Sequence, residues 1–451
     1  MGERARGGVT FTPHWTESVS LIHLLPALCA GAVFLSDRQA RGWGIARIIA
    51  VGAAGLATAV MLLHSERRRR RTKLTVCGGQ ILFQKDGLQK ALRPERPVCV
   101  KICHAPIRGL FCAKNAKKVY LYADIARAPW VRIILPAQQA DRLPQMLMNA
   151  GAGEANDIPG RTLHGRHSAA IAAMTSARTV LPLFAAGHYA LLAGGNAGMM
   201  MLAGALLLLS LGNSGAAFFG CRRLSLVKRT NGFEITSGWF GGTRLFLPSD
   251  AVLGLRVRCS PAAVLVGCGR AELLCAGGRR IPCAASLSTT EMKKTAFGLL
   301  GAEGRKETVI ADFDSLSRRY TSLFAAAVFC WLPALYFAWR GGGEAVKLIA
   351  CTAAVVSGWA AVHCAAALKC TGDFGISITP SAVCGGGMTL SGAAFMFLRR
   401  GSVAGVRMRS TAFEEMNGLC SAGILMSGGR PAVRCQCVPD GAINGLMARF
   451  C

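Results

Sequence analysis

The sequence predicts an α+β membrane protein built as three tandem repeats, each a transmembrane helical hairpin followed by a compact bent β-sheet or barrel with a carboxy-terminal capping helix. Three observations predict it. The first is an internal repeat: Phe246–Arg279, FLPSDAVLGLRVRCSPAAVLVGCGRAELLCAGGR, returns without a gap as Phe397–Arg430, FLRRGSVAGVRMRSTAFEEMNGLCSAGILMSGGR. One offset aligns Phe246 with Phe397, Gly254 with Gly405, Arg256 with Arg407, Arg258 with Arg409 and Gly277-Gly278-Arg279 with Gly428-Gly429-Arg430. Aromatic, aliphatic and basic positions that share a register mark one supersecondary unit used again. The second is composition: 52% of residues are hydrophobic, yet 52 Lys and Arg face 23 Asp and Glu. Both hold only if apolar and basic residues are segregated along the chain. The third is that the apolar runs arrive in pairs, each followed by short β-branched and aromatic segments punctuated by Gly, Pro, Asn and Asp, a strand texture.

In chain order, the first hairpin is expected over residues 18–64, from VSLIHLLPALCAGAVFL (Val19–Leu35) and WGIARIIAVGAAGLATAVMLL (Trp43–Leu63). The first run alone has the length of a signal peptide, but a second apolar run follows almost at once and favours two antiparallel spans. A strand-rich module is expected over 73–150, closed by a helix at Ala137–Met148 that contains Pro144 and so departs from a straight helix. The second hairpin, 168–220, has spans near Thr179–Leu192 and Met199–Phe219 about an uncharged AGGNAG turn, and its module covers 221–301. In that module Gly241-Gly242 reads as a hairpin turn, and Ser288-Thr289-Thr290-Glu291 has the capping-box form that starts a helix over Thr289–Leu300. The third hairpin, 320–369, pairs Thr321–Trp339 with Leu348–Leu368, and its module, 370–451, ends in a short helix from Pro439-Asp440. RIILP at Arg132, RIPC at Arg280 and RCQCVP at Arg434 form the sheet-to-helix joint of the three modules.

The basic residues give the orientation. Arg67, Arg68, Arg69, Arg70 and Arg71 stand against the end of the second run, so by the positive-inside rule that end, the amino terminus and the modules are expected to face the cytoplasm. A nucleic-acid patch is the alternative for such a run, but its position against a span favours the anionic inner leaflet, and no nucleic-acid partner is expected. Arg222 and Arg223 close the second hairpin in the same way. Arg256 with Arg258, and Arg407 with Arg409, each put two cations on one face of a strand. These eleven arginines are the candidate membrane-surface residues.

Catalytic chemistry has little to draw on. The 19 cysteines show no paired CxxC spacing, which argues against structural zinc and suits a reducing compartment. Cys259 and Cys435 are expected to stay protected from impermeant thiol reagents. The eight histidines form no HExxH; His23, His188 and His363 fall in apolar runs, where a neutral, hydrogen-bonded imidazole is the expected state. Asp312-Phe313-Asp314 and Glu414-Glu415 are the close carboxylate pairs, read as solvated surface charge. No phosphate loop appears among 54 glycines, so no cofactor is expected. A six-span transporter is the rival architecture, but such pathways carry acids within their spans, and these apolar runs carry only Arg47.

Paired spans followed by a strand-rich unit and a terminal helix, in tandem, resemble the bacterial membrane-flanked pleckstrin-homology-like family of the second type. GWFGGTRLFLPSDAVLGLRVR and GGGMTLSGAAFMFLRRGSVAGVRMR carry the resemblance. It implies a seven-stranded, strongly bent sheet capped by a helix, no catalytic centre, and a partner that is a shorter one-module relative. It transfers no functional residue. The hairpins comparable to the lipid-reading hairpin of eukaryotic relatives, Gly241-Gly242-Thr243-Arg244 and Gly392-Ala393-Ala394, carry few charges. The resulting expectation is a non-enzymatic scaffold or assembly platform at the membrane surface, in envelope maintenance or tolerance of membrane-active compounds, with a transporter or an anionic-lipid-binding protein as alternatives.

Overall fold

The computed structural model describes residues 9–14, 26, 45–77, 80–85, 88–92, 98–106, 112–122, 128–147, 166–221, 224–229, 232–237, 242–276, 279–288, 307–340, 342–426 and 431–447. The chain combines helices with antiparallel sheets and divides into two compact units. One comprises Met1–Asn156, Arg229–Glu234 and Phe240–Ala251; the other comprises Asp157–Lys228, Ile235–Trp239 and Val252–Cys451. Among the described residues four helices are long and apolar enough to cross a membrane: Ile49–Arg70, Ala197–Cys221, Phe313–Arg340 and Glu344–Asp373.

In the first unit, β1 (Val9–Phe11) pairs antiparallel with β2 (Lys73–Cys77), Val9 facing Val76, although α1 (Ile45–Arg70) comes between them in the chain. The polar start of the sequence hid this strand, which is only three residues long. β3 (Gln80–Lys85) and β4 (Leu88–Leu92) extend the sheet in the order β1-β2-β3-β4. β5 (Cys99–Pro106), β6 (Cys112–Tyr122) and β7 (Val131–Pro136) form an antiparallel meander that leads directly into α2 (Ala137–Leu147), the expected closing helix with Pro144 inside it. Alternate residues of β7, Val131, Ile133 and Leu135, are buried, as the two-residue strand period requires. They share one core with Leu74 and Ile81 of the first sheet and Ala140 and Leu143 of α2. Further along the chain come β8 (Ser225–Arg229), β9 (Gly232–Ser237) and β10 (Thr243–Pro248), and β10 pairs antiparallel with β5, Thr243 facing Cys103. Asp141 of α2 accepts from Lys117 at 2.5 Å and from Arg244 of β10 at 3.3 Å, and Arg244 also meets Glu234 at 3.0 Å.

The second unit starts with α3 (Arg166–Met174), α4 (Ala177–Leu192) and α5 (Ala197–Cys221). Gly194 and Gly195 take positive φ in the turn before α5, and Asn196 Oδ1 accepts from Met199 N at 3.0 Å to cap that helix. A sheet of order β13-β12-β11-β17-β16-β15-β14 follows, from β11 (Val252–Cys259), β12 (Cys268–Cys275), β13 (Arg280–Ser288), β14 (Glu307–Ile310), β15 (Gly375–Ile378), β16 (Ala382–Thr389) and β17 (Gly392–Arg399). A three-stranded sheet, β18-β19-β20, uses Val403–Arg409, Leu419–Met426 and Pro431–Pro439. Short α6 (Pro261–Val266) lies between β11 and β12. Between β14 and β15 run α7 (Phe313–Arg340) and α8 (Glu344–Cys370), so β14 pairs with β15 across two apolar helices, as β1 pairs with β2 across a stretch that includes α1. α9 (Ala412–Met416) lies between β18 and β19, and α10 (Asp440–Met447) follows β20.

The offset read from sequence recurs in the elements: β12 begins at Cys268 and β19 at Leu419, and the register shift at Val252/Gly254 has its counterpart at Val403/Gly405. Ser260 caps α6 and Thr411 caps α9 through a full capping box.

Several expectations change. Of six expected spans, four appear as long apolar helices. The run Thr179–Leu192 is the 16-residue α4, separated from α3 at Thr175 and Ser176, and Val19–Leu35 lies, apart from Pro26, outside the described residues, as does the helix expected at Thr289–Leu300. Glu414 is not solvated: it is 0% exposed and accepts from Ser421 Oγ at 2.6 Å and from Thr411 N at 3.0 Å, because the capping box turns it inward. Asp312 caps α7, accepting from Ser315 N at 3.3 Å. Cys259 and Cys435 are buried in their sheets, so protection from reagents there reports packing rather than membrane side. His188 Nε2 lies 3.3 Å from Trp331 Nε1, which donates to it, and Nδ1 lies 3.0 Å from Phe184 O. Tyr189 meets Thr352 at 2.8 Å, and together these contacts lock α4 to α7 and α8.

Candidate functional site

Within the second unit, at the foot of the α4–α5 hairpin, lies a cavity of about 490 Å³. Its roof is the junction of α3 and α4 (Thr175, Ser176, Ala177, Arg178) together with Asn213, Ala216 and Ala217 of α5. Its floor is Arg258 of β11 and Arg270 and Glu272 of β12, and Ser260 and Ser391 stand at the sides. Small residues on the helices create the space, and strand periodicity puts the charges there. Gly254, Arg256 and Arg258 share one face of β11, while Leu255, Val257 and Cys259 fill the core on the other.

Local hydrogen bonds hold the roof to the floor. Ser260 Oγ donates to the Thr175 carbonyl, whose place at the break between α3 and α4 leaves it free of a helical partner, and the same Oγ accepts from Ala263 N at 3.1 Å. Asn213 Nδ2 donates to Arg178 O at 3.0 Å, and Ser210 Oγ to Thr179 O at 2.9 Å. Ser176, at the cap position of α4, makes no side-chain cap bond; Thr179 N and Val180 N donate to its carbonyl, and the N–H groups of Ala177 and Arg178, which precede them, keep their capacity for an acceptor.

The electrostatics are unbalanced. Antiparallel pairing sets Arg258 directly opposite Arg270, and Arg256 opposite Glu272. Like charges directly opposed across strands are destabilising. Arg258 Nη2 donates to Ser391 Oγ at 2.8 Å, and among the described residues neither Arg178 nor Arg270 has an ion-pair partner. Behind them Arg256 is 8% exposed, with Nε and Nη1 lacking hydrogen-bond partners, and Glu272 Oε2 also lacks one. Burial, helped by Arg280 and Arg258 nearby, pulls the Arg256 guanidinium down to about 10. Chemically the lining offers guanidinium, hydroxyl and amide donors, a set whose charge suits an anion. Its lining includes a thiol, Cys268, but no imidazole that could act as its base.

The other candidate arginines are scattered. Arg67, Arg68, Arg70 and Arg71 are exposed at and just beyond the end of α1, whereas Arg69 is committed to Glu66 at 2.6 Å and to Pro13 O at 2.8 Å. Arg407 and Arg409 are exposed on β18, and Arg222 and Arg223 lie outside the described residues. The structure thus gathers only Arg258, with Arg256 behind it. Sequence reading missed Arg178 and Arg270. The signal available was the hairpin of β11 and β12, whose register predicts which residue faces Arg258, but nothing local announces that the α3–α4 break covers that face. Among the described residues no group of three metal-ligating side chains occurs. No family model matches the chain, and neither the curated proteins nor the solved structures contain a match.

Proposed function

We propose that this chain is a non-enzymatic platform at the cytoplasmic surface of a bacterial inner membrane, with three pleckstrin-homology-like modules pinned by apolar hairpins, and that it acts by assembling with another membrane protein. One observation carries the reading: strand joints of a single type are used twice. The fourth strand of one module takes the third strand of the following module, β5 taking β10 and β11 taking β17, both antiparallel. The counterpart in the last module is β18, which lies at a sheet edge among the described residues. Exposed strand edges are templates for another strand, so β18 is the position that receives the third strand of a module on another chain, a shorter one-module relative being the partner of that type. Pairing of β1 with β2 and of β14 with β15 across apolar hairpins makes each β body continuous with its anchor, a rigid mounting suited to assembly. The process served is envelope maintenance or tolerance of membrane-active compounds.

Two measurements test this. Gentle solubilisation of native membranes should recover the chain with a module-bearing membrane protein, and deletion of β18 through α10 should release it. Purified chain in sealed vesicles should give no solute flux above empty vesicles; gated flux would replace the platform with a transporter.

A further inference from the structure

We propose that the cavity at the foot of the α4–α5 hairpin binds the phosphate of an anionic glycerophospholipid, which makes it a lipid-headgroup site built between a helical hairpin and a sheet. The inference rests on the membrane reading above and adds a ligand to it. Arg258 and Arg270 are opposed on neighbouring strands, an arrangement whose repulsion becomes attraction once a phosphate lies between the two guanidiniums, each able to give paired N–H donors. Arg178 and the uncapped first turn of α4 face the same space from above, and a helix amino terminus favours the same charge.

Two features point to a lipid rather than a soluble anion. The volume, about 490 Å³, falls in the range of small-molecule sites and exceeds what a phosphate alone needs. The flanking helices expose apolar side chains, Met174 and Ile171 on α3 and Leu208, Leu211 and Phe219 on α5, so acyl chains leaving the cavity would run along a surface of their own polarity. Glu272 is the acid on the wall, with one buried oxygen unpartnered. It opposes a bare anion and suits a headgroup that also carries hydroxyl donors, which selects a glycerol-type headgroup. The third module repeats the strand pair but not the site: Ser421 and Gly423 face Arg409 and Arg407 where Arg270 and Glu272 face Arg258 and Arg256. That contrast supplies the control.

The test uses the full chain purified in mild detergent, with retained lipid measured by native mass spectrometry and binding measured on nanodiscs of phosphatidylglycerol or phosphatidylcholine. The wild-type chain should prefer phosphatidylglycerol by about tenfold or more, equivalent to about 1.4 kcal/mol. Arg258→Gln with Arg270→Gln should abolish the preference, whereas Arg407→Gln with Arg409→Gln, which removes the same charge, should keep it. Arg178→Gln, at an exposed position on the rim, should weaken it without altering the melting temperature and serves if the double variant fails to fold. Inorganic phosphate at millimolar concentration should not displace the lipid. Equal retention of both lipids, loss of preference in the Arg407/Arg409 variant, or persistence in both cavity variants would overturn the proposal, and displacement by phosphate would reassign the cavity to a soluble anion. Flotation with vesicles separately scores whether the chain partitions into bilayers, so failure of the membrane reading is distinguishable from failure of this site.

Discussion

β11 and β18 are two readings of one sequence pattern, LGLRVR and AGVRMR, in the same register after the same 3-10 turn. On β11, Arg256 is buried and Arg258 half-buried, because β17 fills one edge and helices cover the charged face; on β18, at a sheet edge, Arg407 and Arg409 are exposed. The difference teaches that a two-residue basic alternation specifies a strand face but not what lies against it. Repeated sequence produced repeated strands, while neighbours from elsewhere in the chain decided which copy has its charged face covered.

The comparison breaks most sharply at the glycine that opens each strand. A Cβ on Gly254 would overlap Phe397 O of β17, whereas one on Gly405 meets nothing within 4 Å. Gly254→Ala should therefore cost about 3 kcal/mol by forcing β11 and β17 apart, and Gly405→Ala should stay within about 0.5 kcal/mol, as read from thermal unfolding of both variants in detergent.

A somewhat smaller effect is expected at Glu414, whose counterpart in the second module is Ala263. Burial pushes the Glu414 carboxyl up, but hydrogen bonds from Ser421, Thr411 and the Cys437 N–H outweigh it and hold it below the usual carboxylate range. A carboxylate with a depressed folded-state value stabilises the fold above its unfolded value near 4.5 and loses that contribution as pH falls through the folded value. Amide exchange in β18–β20 should consequently accelerate below pH 4.5 before exchange in β11–β13 does. Glu414→Gln should cost about 2 kcal/mol at neutral pH and remove this acid dependence. Simultaneous acid loosening of both sheets would remove Glu414 from the explanation.

Replacing a desolvated charge sharpens the contrast in the opposite direction. Arg256→Met should be neutral or stabilising by about 1 kcal/mol, since it deletes buried donors that lack partners, and Arg407→Met should change stability by less than about 0.5 kcal/mol. Marked destabilisation by Arg256→Met would mean that its guanidinium is satisfied in solution. The smallest perturbation is Leu390→Cys, at a 100% exposed tip beside the cavity wall. It should leave the melting temperature unchanged while reporting, through impermeant thiol reagents on intact cells, which side of the membrane the β16–β17 turn faces.

Much of the scaffold was legible. Apolar runs at Met199–Phe219, Thr321–Trp339 and Leu348–Leu368 became α5, α7 and α8 with boundaries extended by a few residues, because uninterrupted hydropathy needs no tertiary partner to be read. Strand alternation and the RIILP joint led to β7 and α2. β1 and β14 were not legible: VTF and ETVI are too short to show a period, and each is a strand only because β2 or β15 returns beside it after a helical hairpin. Glu414 escaped for a related reason. Two adjacent acids look like solvated surface; Thr411 three residues earlier was the local capping-box signal for Glu414, while its burial is completed by Ser421 and Cys437 from the neighbouring strands.

By itself the sequence determined that long apolar helices combine with short antiparallel strands, the offset that relates β11 to β18, and the basic bias of strand faces, all of which rest on periodicity and composition. Only the tertiary structure decided that β11 is walled by β17 and roofed by the break between α3 and α4, that Arg270 stands opposite Arg258, and that the same face on β18 stays open. Pairing across long loops is set by which edges and faces find complementary neighbours, and no local window of residues contains that information.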